Sequence, residues 1–189
     1  MAKRKKYQRR FHIGIDIGKE GAIVIQKWHN IFGGETIVED KLVTFSYPMP
    51  KIGKEIDLDA LYKLLEPYEG GNGMIVFENI VPYGVKTAMF SLGHQAGALE
   101  MACVALSIPY TKVGPQTWQK EMFTGVPNMI KKSKTTKSGE SRDTKSMAIV
   151  AAKRLFPNEK LNFGDRATVP HSGLVDALLM SEYAKRKFP

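Results

Sequence analysis

Cysteine is nearly missing from this chain: Cys103 is the single one among 189 residues. That excludes an intramolecular disulfide framework and a cysteine-built zinc site, and it points to a reducing, intracellular compartment. Long apolar runs are missing too; none approaches the ~20 residues of a membrane-spanning helix. The N-terminus is basic and lacks the apolar stretch of a secretory signal. There is no internal repeat, and no linker is long enough to separate distinct domains. What remains is ordinary globular material, 43% hydrophobic and 25% charged, in a length that suits one core.

The charge is unevenly placed. The formal net charge is +9. Residues 1–10 carry six basic groups and no acidic one. Residues 128–145 carry six basic groups (Lys131, Lys132, Lys134, Lys137, Arg142, Lys145) against Glu140 and Asp143. Those two segments contribute +6 and +4, which leaves the rest of the chain at −1. A near-neutral body with two basic appendages suits a polyanionic partner, because clustered Lys and Arg release counterions from a phosphate backbone. A solubilising tail and a solvated loop are the plainer alternative.

Periodicity supplies the elements. Residues 11–17 and 21–27 alternate or run apolar around Gly18-Lys19-Glu20-Gly21 and predict a β-hairpin; a third strand is expected over 41–47. Asp57 is placed to cap a helix over 58–66. The run Met74-Ile75-Val76-Phe77 predicts a buried strand ending at Glu78. A long helix over about 86–106 would bury Met89, Leu92, Ala96, Leu99 and Cys103, with Gly93 and Gly97 allowing close approach of another element. A short strand over 110–113 and a helix from Pro115 to Met122 follow. Residues 127–142 show no period and read as a mobile basic loop. Asp143 or Ser141 would cap a helix over 144–156, and a last helix covers about 173–187. The expected fold class is α/β with a mixed central sheet: a basic flexible tail over 1–10, then one domain over 11–189.

Three carboxylates stand on apolar backgrounds: Asp16 in a strand of Ile and Gly, Glu78 closing an apolar run, and Asp176 between Val175 and Ala177. No Lys or Arg adjoins any of them in sequence, and an unneutralised carboxylate on a core-facing element is costly. Carboxylates converging from separate elements are how oxygen ligands for Mg²⁺ or Mn²⁺ are assembled, and two such ions support phosphodiester hydrolysis. Taken singly, each could instead be a surface residue at an element edge. Gly14-x-x-x-Gly18-Lys19 is not a phosphate loop, because the second Gly-Lys-Ser/Thr spacing is missing and it joins strand to strand.

Ile13-Gly14-Ile15-Asp16-Ile17-Gly18 followed by Gly21-Ala22-Ile23 resembles the opening hairpin of RuvC-type Holliday-junction resolvases. Val76-Phe77-Glu78 is similar to their second acidic strand. Ser91-Leu92-Gly93 and Gly97 resemble the long helix after it, and Asp176-Ala177-Leu178-Leu179 their terminal motif. Ile108-Pro109-Tyr110 with Pro115-Gln116-Thr117-Trp118 resembles the strand and turn of phage members in particular. The fragments occur in the family's order from about residue 11 to 187.

The resemblance implies an RNase H-like fold with a five-stranded mixed sheet. It implies a homodimer and divalent-metal-dependent nicking of four-way DNA junctions in recombination and repair, with two ions of Mg²⁺ or Mn²⁺ and no small-molecule cofactor. The setting would be the cytoplasm of a bacterial or phage-infected cell, away from membranes. Asp16, Glu78 and Asp176 would be metal ligands. The family's fourth ligand precedes the last Asp; here the stretch reads His171-Ser172-Gly173, and His171 is the candidate, with Ser172 as the rival. An imidazole ligand would favour Mn²⁺. Lys145 matches a lysine used near the scissile phosphate. Lys120 is the counterpart of a DNA-binding lysine, and Tyr83 lies near the position of an aromatic wedge.

Other functions fit less of the chain. Sugar kinases and actin-like ATPases share the Gly-x-Asp-x-Gly hairpin but need two such domains. A DNA-binding module without catalysis has no need to keep all three carboxylates. A nuclease of the same fold acting on flaps or other branched replication intermediates is the main alternative.

Overall fold

A computed structural model describes residues 10–189 apart from 19, 34–35, 54, 80–85 and 135. Nine strands and five helices occur among the described residues, in the order β1 (Phe11–Asp16), β2 (Ala22–Gly33), β3 (Thr36–Pro48), β4 (Lys51–Ile52), β5 (Glu55–Ile56), α1 (Leu58–Leu65), β6 (Gly73–Glu78), α2 (Lys86–Ala105), β7 (Tyr110–Val113), α3 (Pro115–Met122), β8 (Ile130–Lys132), β9 (Glu140–Arg142), α4 (Thr144–Leu155) and α5 (Ser172–Lys187). A 3₁₀ turn over Glu66–Tyr68 follows α1.

Five strands form one mixed sheet in the order β3-β2-β1-β6-β7. β2 runs antiparallel to β1 and β3, whereas β1, β6 and β7 are parallel. The helical crossovers α1 and α2 make those parallel neighbours possible. Side chains alternate across a strand, so Ile13, Ile15, Ile75 and Phe77 face one way. They form a core with Leu61, Leu65, Leu99, Cys103 and Leu106 from α1, α2 and the turn after α2. Val24, Val76 and Val113 face the other way, onto Trp118, Met147, Ala151, Leu178 and Met180 from α3, α4 and α5.

The helix starts follow from local chemistry. Asp57 accepts from the Ala60 amide at 3.0 Å and caps α1. Asp143 accepts from the Ser146 amide at 3.3 Å and caps α4, which selects it over Ser141. Pro115 occupies the first turn of α3, where its missing N–H costs nothing.

Three expectations change. The third strand is longer than 41–47: β2 and β3 pair from Ala22↔Pro48 to Gly33↔Thr36 and run on past the last β1 partner, Lys27. Beyond Lys27 the two strands are joined through their own ladder. The segment expected to be a mobile loop contains a hairpin, with Ile130↔Arg142, Lys131↔Ser141 and Lys132↔Glu140 paired. Its exposed strands bury no face, which removes the periodicity by which strands are read. The last helix begins at Ser172 because His171 caps it.

Candidate active site

The register brings two carboxylates side by side. Ile15 pairs with Phe77 in the parallel ladder, so the next residues, Asp16 and Glu78, end adjacent strands at the same level. Both have the parity of Gly14 and Val76 and belong to the sheet face covered by α5. That helix approaches unusually closely. A Cβ on Gly14 would collide with the Ala177 carbonyl oxygen and the Ser181 amide nitrogen. A Cβ on Gly173 would meet the Glu20 carbonyl and stand 2.9 Å from Asp16 Oδ2. Glycine at both positions lets the first turns of α5 settle on the β1–β2 turn, which carries Asp176 to the ends of β1 and β6.

Electrostatics reflects the convergence. Burial, then the charges of Asp176 and Glu78, push the Asp16 carboxyl up to about 8, against the pull of Lys145. Burial and Glu78 push Asp176 up to about 7, again opposed by Lys145. Burial raises Glu78 as well, but there the Trp118 indole acts against it, donating from Nε1 to Oε1 at 2.8 Å. Lys145, in the first turn of α4, is thus the cation that balances Asp16 and Asp176. Trp118 is a site residue that sequence reasoning missed; a buried Trp needs an acceptor for its N–H, and Glu78 supplies it across 40 positions of sequence.

His171 is used differently from the expectation of a metal ligand. Its Nδ1 accepts from the Leu174 amide at 3.2 Å, which caps α5. The ring also packs edge-on against Phe163, centroids 5.0 Å apart. With Nδ1 accepting, the neutral ring carries its proton on Nε2, so as placed neither nitrogen offers a free lone pair. Ser172, one residue on, lines a cavity of about 280 Å³ together with Asp176 and Lys145.

The other basic candidates lie on different elements, α3 and the β8–β9 hairpin. Lys131, Lys132, Lys134, Lys137 and Arg142 are exposed on the β8–β9 hairpin. Lys131 reaches Asp143 at 3.7 Å. The Arg142 guanidinium stands over the Phe123 ring, 5.6 Å from its centroid, and its Nε donates to Met147 Sδ at 3.3 Å. Lys120 and Arg142 share a groove with Gln116, Gln119 and Thr144. Tyr83 and the expected wedge position fall outside the described residues.

The donor set suits a hard divalent cation: three desolvated carboxylates, two of them held well above the ordinary 3.8 by burial and mutual repulsion, which a cation would relieve. Among the described residues no group of three or more His, Cys, Asp or Glu side chains is drawn together into a finished cation cage. The carboxylates are within electrostatic reach of one another.

Neither a protein-family model nor a curated protein sequence matches the chain. Solved structures do match. The structure of Thermus thermophilus RuvC superposes with a TM-score of 0.51 over 90% of each chain, at 14% identity. RuvC from T. thermophilus in complex with Holliday junction substrate superposes with a TM-score of 0.57, covering 94% of this chain and 96% of that one, also at 14% identity. The fold is RNase H-like, as in RuvC, with a mixed five-stranded sheet and flanking helices.

Proposed function

We propose that the protein is a divalent-metal-dependent endonuclease that resolves four-way DNA junctions. The observation that carries this reading is the convergence of Asp16, Glu78 and Asp176 at the ends of β1, β6 and the start of α5, where burial first, and then the charges of Asp176 and Glu78, push Asp16 up to about 8. The RuvC solved with a Holliday junction has the same fold, and that likeness favours branched DNA over the sugar-kinase alternative.

In this reading Asp16, Glu78 and Asp176 would hold Mg²⁺ or Mn²⁺. Bound cations would supply an activated water nucleophile and charge stabilisation at the leaving oxygen. The chain's own residues do the positioning. Trp118 fixes one oxygen of Glu78. Lys145 brings a positive charge to the mouth of the site, where a phosphate approaches. His171 holds the first turn of α5, and we assign the position next to Asp176 to the Ser172 hydroxyl rather than to the His171 ring. Lys120, Arg142 and the lysines of the β8–β9 hairpin grip backbone phosphates without reading sequence.

Two symmetric nicks require two sites related by a dyad, hence a homodimer. The outward stripe of α2 supports that: Phe90 is 80% exposed, Met101 62% and Val104 58%, with Gly93 and Gly97 between them. Sedimentation of the wild type as a dimer, and of Met101→Glu as a monomer, checks this assignment.

The test of function is direct. Purified protein is incubated with labelled four-way junction, flap and linear duplex in Mg²⁺, Mn²⁺ or EDTA. Paired symmetric nicks confined to the junction, and none in EDTA, are expected. Faster cutting of flaps would favour the same-fold nuclease acting on other branched intermediates.

A further inference from the structure

The Glu78 carboxylate is held from two sides. Its backbone is fixed on β6: Glu78 pairs with Val113 of β7, and the Asn79 amide donates to the Val113 carbonyl at 2.9 Å. Pro115 opens α3 two residues after Val113, so Trp118, in the first turn, is brought back over the same strand end. Its indole Nε1–H donates to Glu78 Oε1 at 2.8 Å. The ring is locked in place. Trp118 is fully buried, lies in one core with Met122, Met147 and Leu178, and meets Phe123 edge-on with centroids 6.0 Å apart.

A donor that cannot move sets how its carboxylate can meet a cation. One lone pair of Oε1 is committed to the indole. Turning the carboxylate to offer both oxygens to one ion would strand a buried N–H without a partner. Oε2 is therefore the oxygen free to ligate. Divalent cations differ in what they ask of such a group. Mg²⁺ demands a small, near-ideal octahedron, keeps several waters and takes few carboxylates. Ca²⁺ gathers about six to eight oxygens in a looser shell and readily takes a carboxylate through both of its oxygens. A glutamate restricted to one oxygen suits the smaller ion. We propose that Trp118 is a cation-selectivity residue, whose N–H confines Glu78 to one ligating oxygen and so favours Mg²⁺ over Ca²⁺ at the carboxylate centre. The proposal rests on the metal-dependent reading above and adds to it the side chain that chooses the ion.

The experiment is Trp118→3-benzothienylalanine, which keeps the size of the ring and carries sulfur in place of the N–H. Melting temperatures of the full chain are followed against Mg²⁺ and Ca²⁺ concentration and converted to apparent dissociation constants. The exchange should raise Ca²⁺ affinity relative to Mg²⁺ about tenfold, the scale on which hydrogen-bond partners of ligating groups act. Trp118→Phe also lacks the donor and should move the ratio in the same direction. In a Glu78→Gln background the exchange should leave the ratio where it was, because the carboxylate that the indole restrains is gone. An unmoved ratio in the Glu78 protein, an equal loss of both ions, or the same shift in the Glu78→Gln background overturns this proposal alone. A wild type whose melting responds to neither ion overturns the metal-dependent reading and the proposal with it.

Discussion

The two faces of the central sheet solve different problems. The face against α1 and α2 is built from Ile13, Ile15, Ile23, Ile25, Ile75 and Phe77, all fully or almost fully buried. Its buried strand residues are apolar throughout. The face against α5 carries Gly14, Asp16 and Glu78, and on its parity His12 and Gln26 are buried as well. The His12 ring nitrogen Nε2 pairs with the Phe188 carbonyl at 3.0 Å, which ties the C-terminus to β1. Both faces bury hydrocarbon and hold the fold together. The α5 face in addition gives up side-chain volume so that a helix can approach the backbone and deliver a carboxylate. Chemistry is thereby confined to one side of the strands, while stability rests on both.

Substitutions that keep shape but remove charge should sharpen this contrast most. Asp16→Asn, Glu78→Gln and Asp176→Asn should each cut nicking by about 10³-fold or more, because several kcal/mol of charge stabilisation is lost, while junction binding in a gel-shift assay persists. Wild-type nicking in any of them would break the assignment of chemistry to the α5 face.

Volume is the next lever. Gly14→Ala should destabilise by about 3 kcal/mol, since the added methyl meets backbone atoms of α5 that have nowhere to go. One residue along, on the opposite face, Ile15→Val should cost about 1 kcal/mol. Urea midpoints of the two variants compare the faces directly; equal losses would show that α5 is not tightly seated.

The carboxylates also give the fold a pH signature. Asp16 titrates near 8 and Asp176 near 7 in the folded protein, against 3.8 ordinarily. Between those limits the folded state binds more protons than the unfolded chain, so without divalent cations stability falls as pH rises from about 4 to about 8. The steepest slope is about 1.4 kcal/mol per pH unit for each group. Asp16→Asn should flatten the profile and raise the melting temperature at pH 8. Mg²⁺ should flatten it in the wild type, which melts in EDTA and in Mg²⁺ at three pH values would show.

The smallest effect concerns the cap. His171→Ser and His171→Asn retain a cap, while His171→Gln and His171→Ala lose it at about 1 kcal/mol. If His171 orients α5, nicking follows cap strength across the four. If it ligates a cation, Gln outperforms Ser. The Mg²⁺ dependence of the melting temperature provides a second readout, and it should be the same for His171→Ser as for the wild type.

The sheet's core strands and the three carboxylates were legible because each carboxylate ends or interrupts an apolar run, and runs mark buried strands. The helix over 144–156 was legible through Asp143, a strong capping residue. The cap at His171 was not, because histidine is not among the side chains that mark helix starts. Trp118 was read only as part of the turn after β7, not as a site residue, because its partner lies 40 residues away, and spacing that long leaves no local period. Gly14 and Gly173 were visible as residues, but the demand that makes them glycine comes from α5 packing across the sheet, which only three dimensions reveal. The β8–β9 hairpin, lacking a buried face, left only its charge in the sequence.

Trp118 has one more consequence. The chain has two tryptophans: Trp28 on β2, level with the start of β1 and beyond its last paired residue, and Trp118, whose indole N–H is bonded to a carboxylate of the site. Excited-state indole is sensitive to charge on a hydrogen-bonded partner, so the emission of a Trp28→Phe protein would record the ionisation of Glu78. The molecule therefore carries an optical probe of its own centre, one that can follow a cation titration in unlabelled protein before any DNA is added.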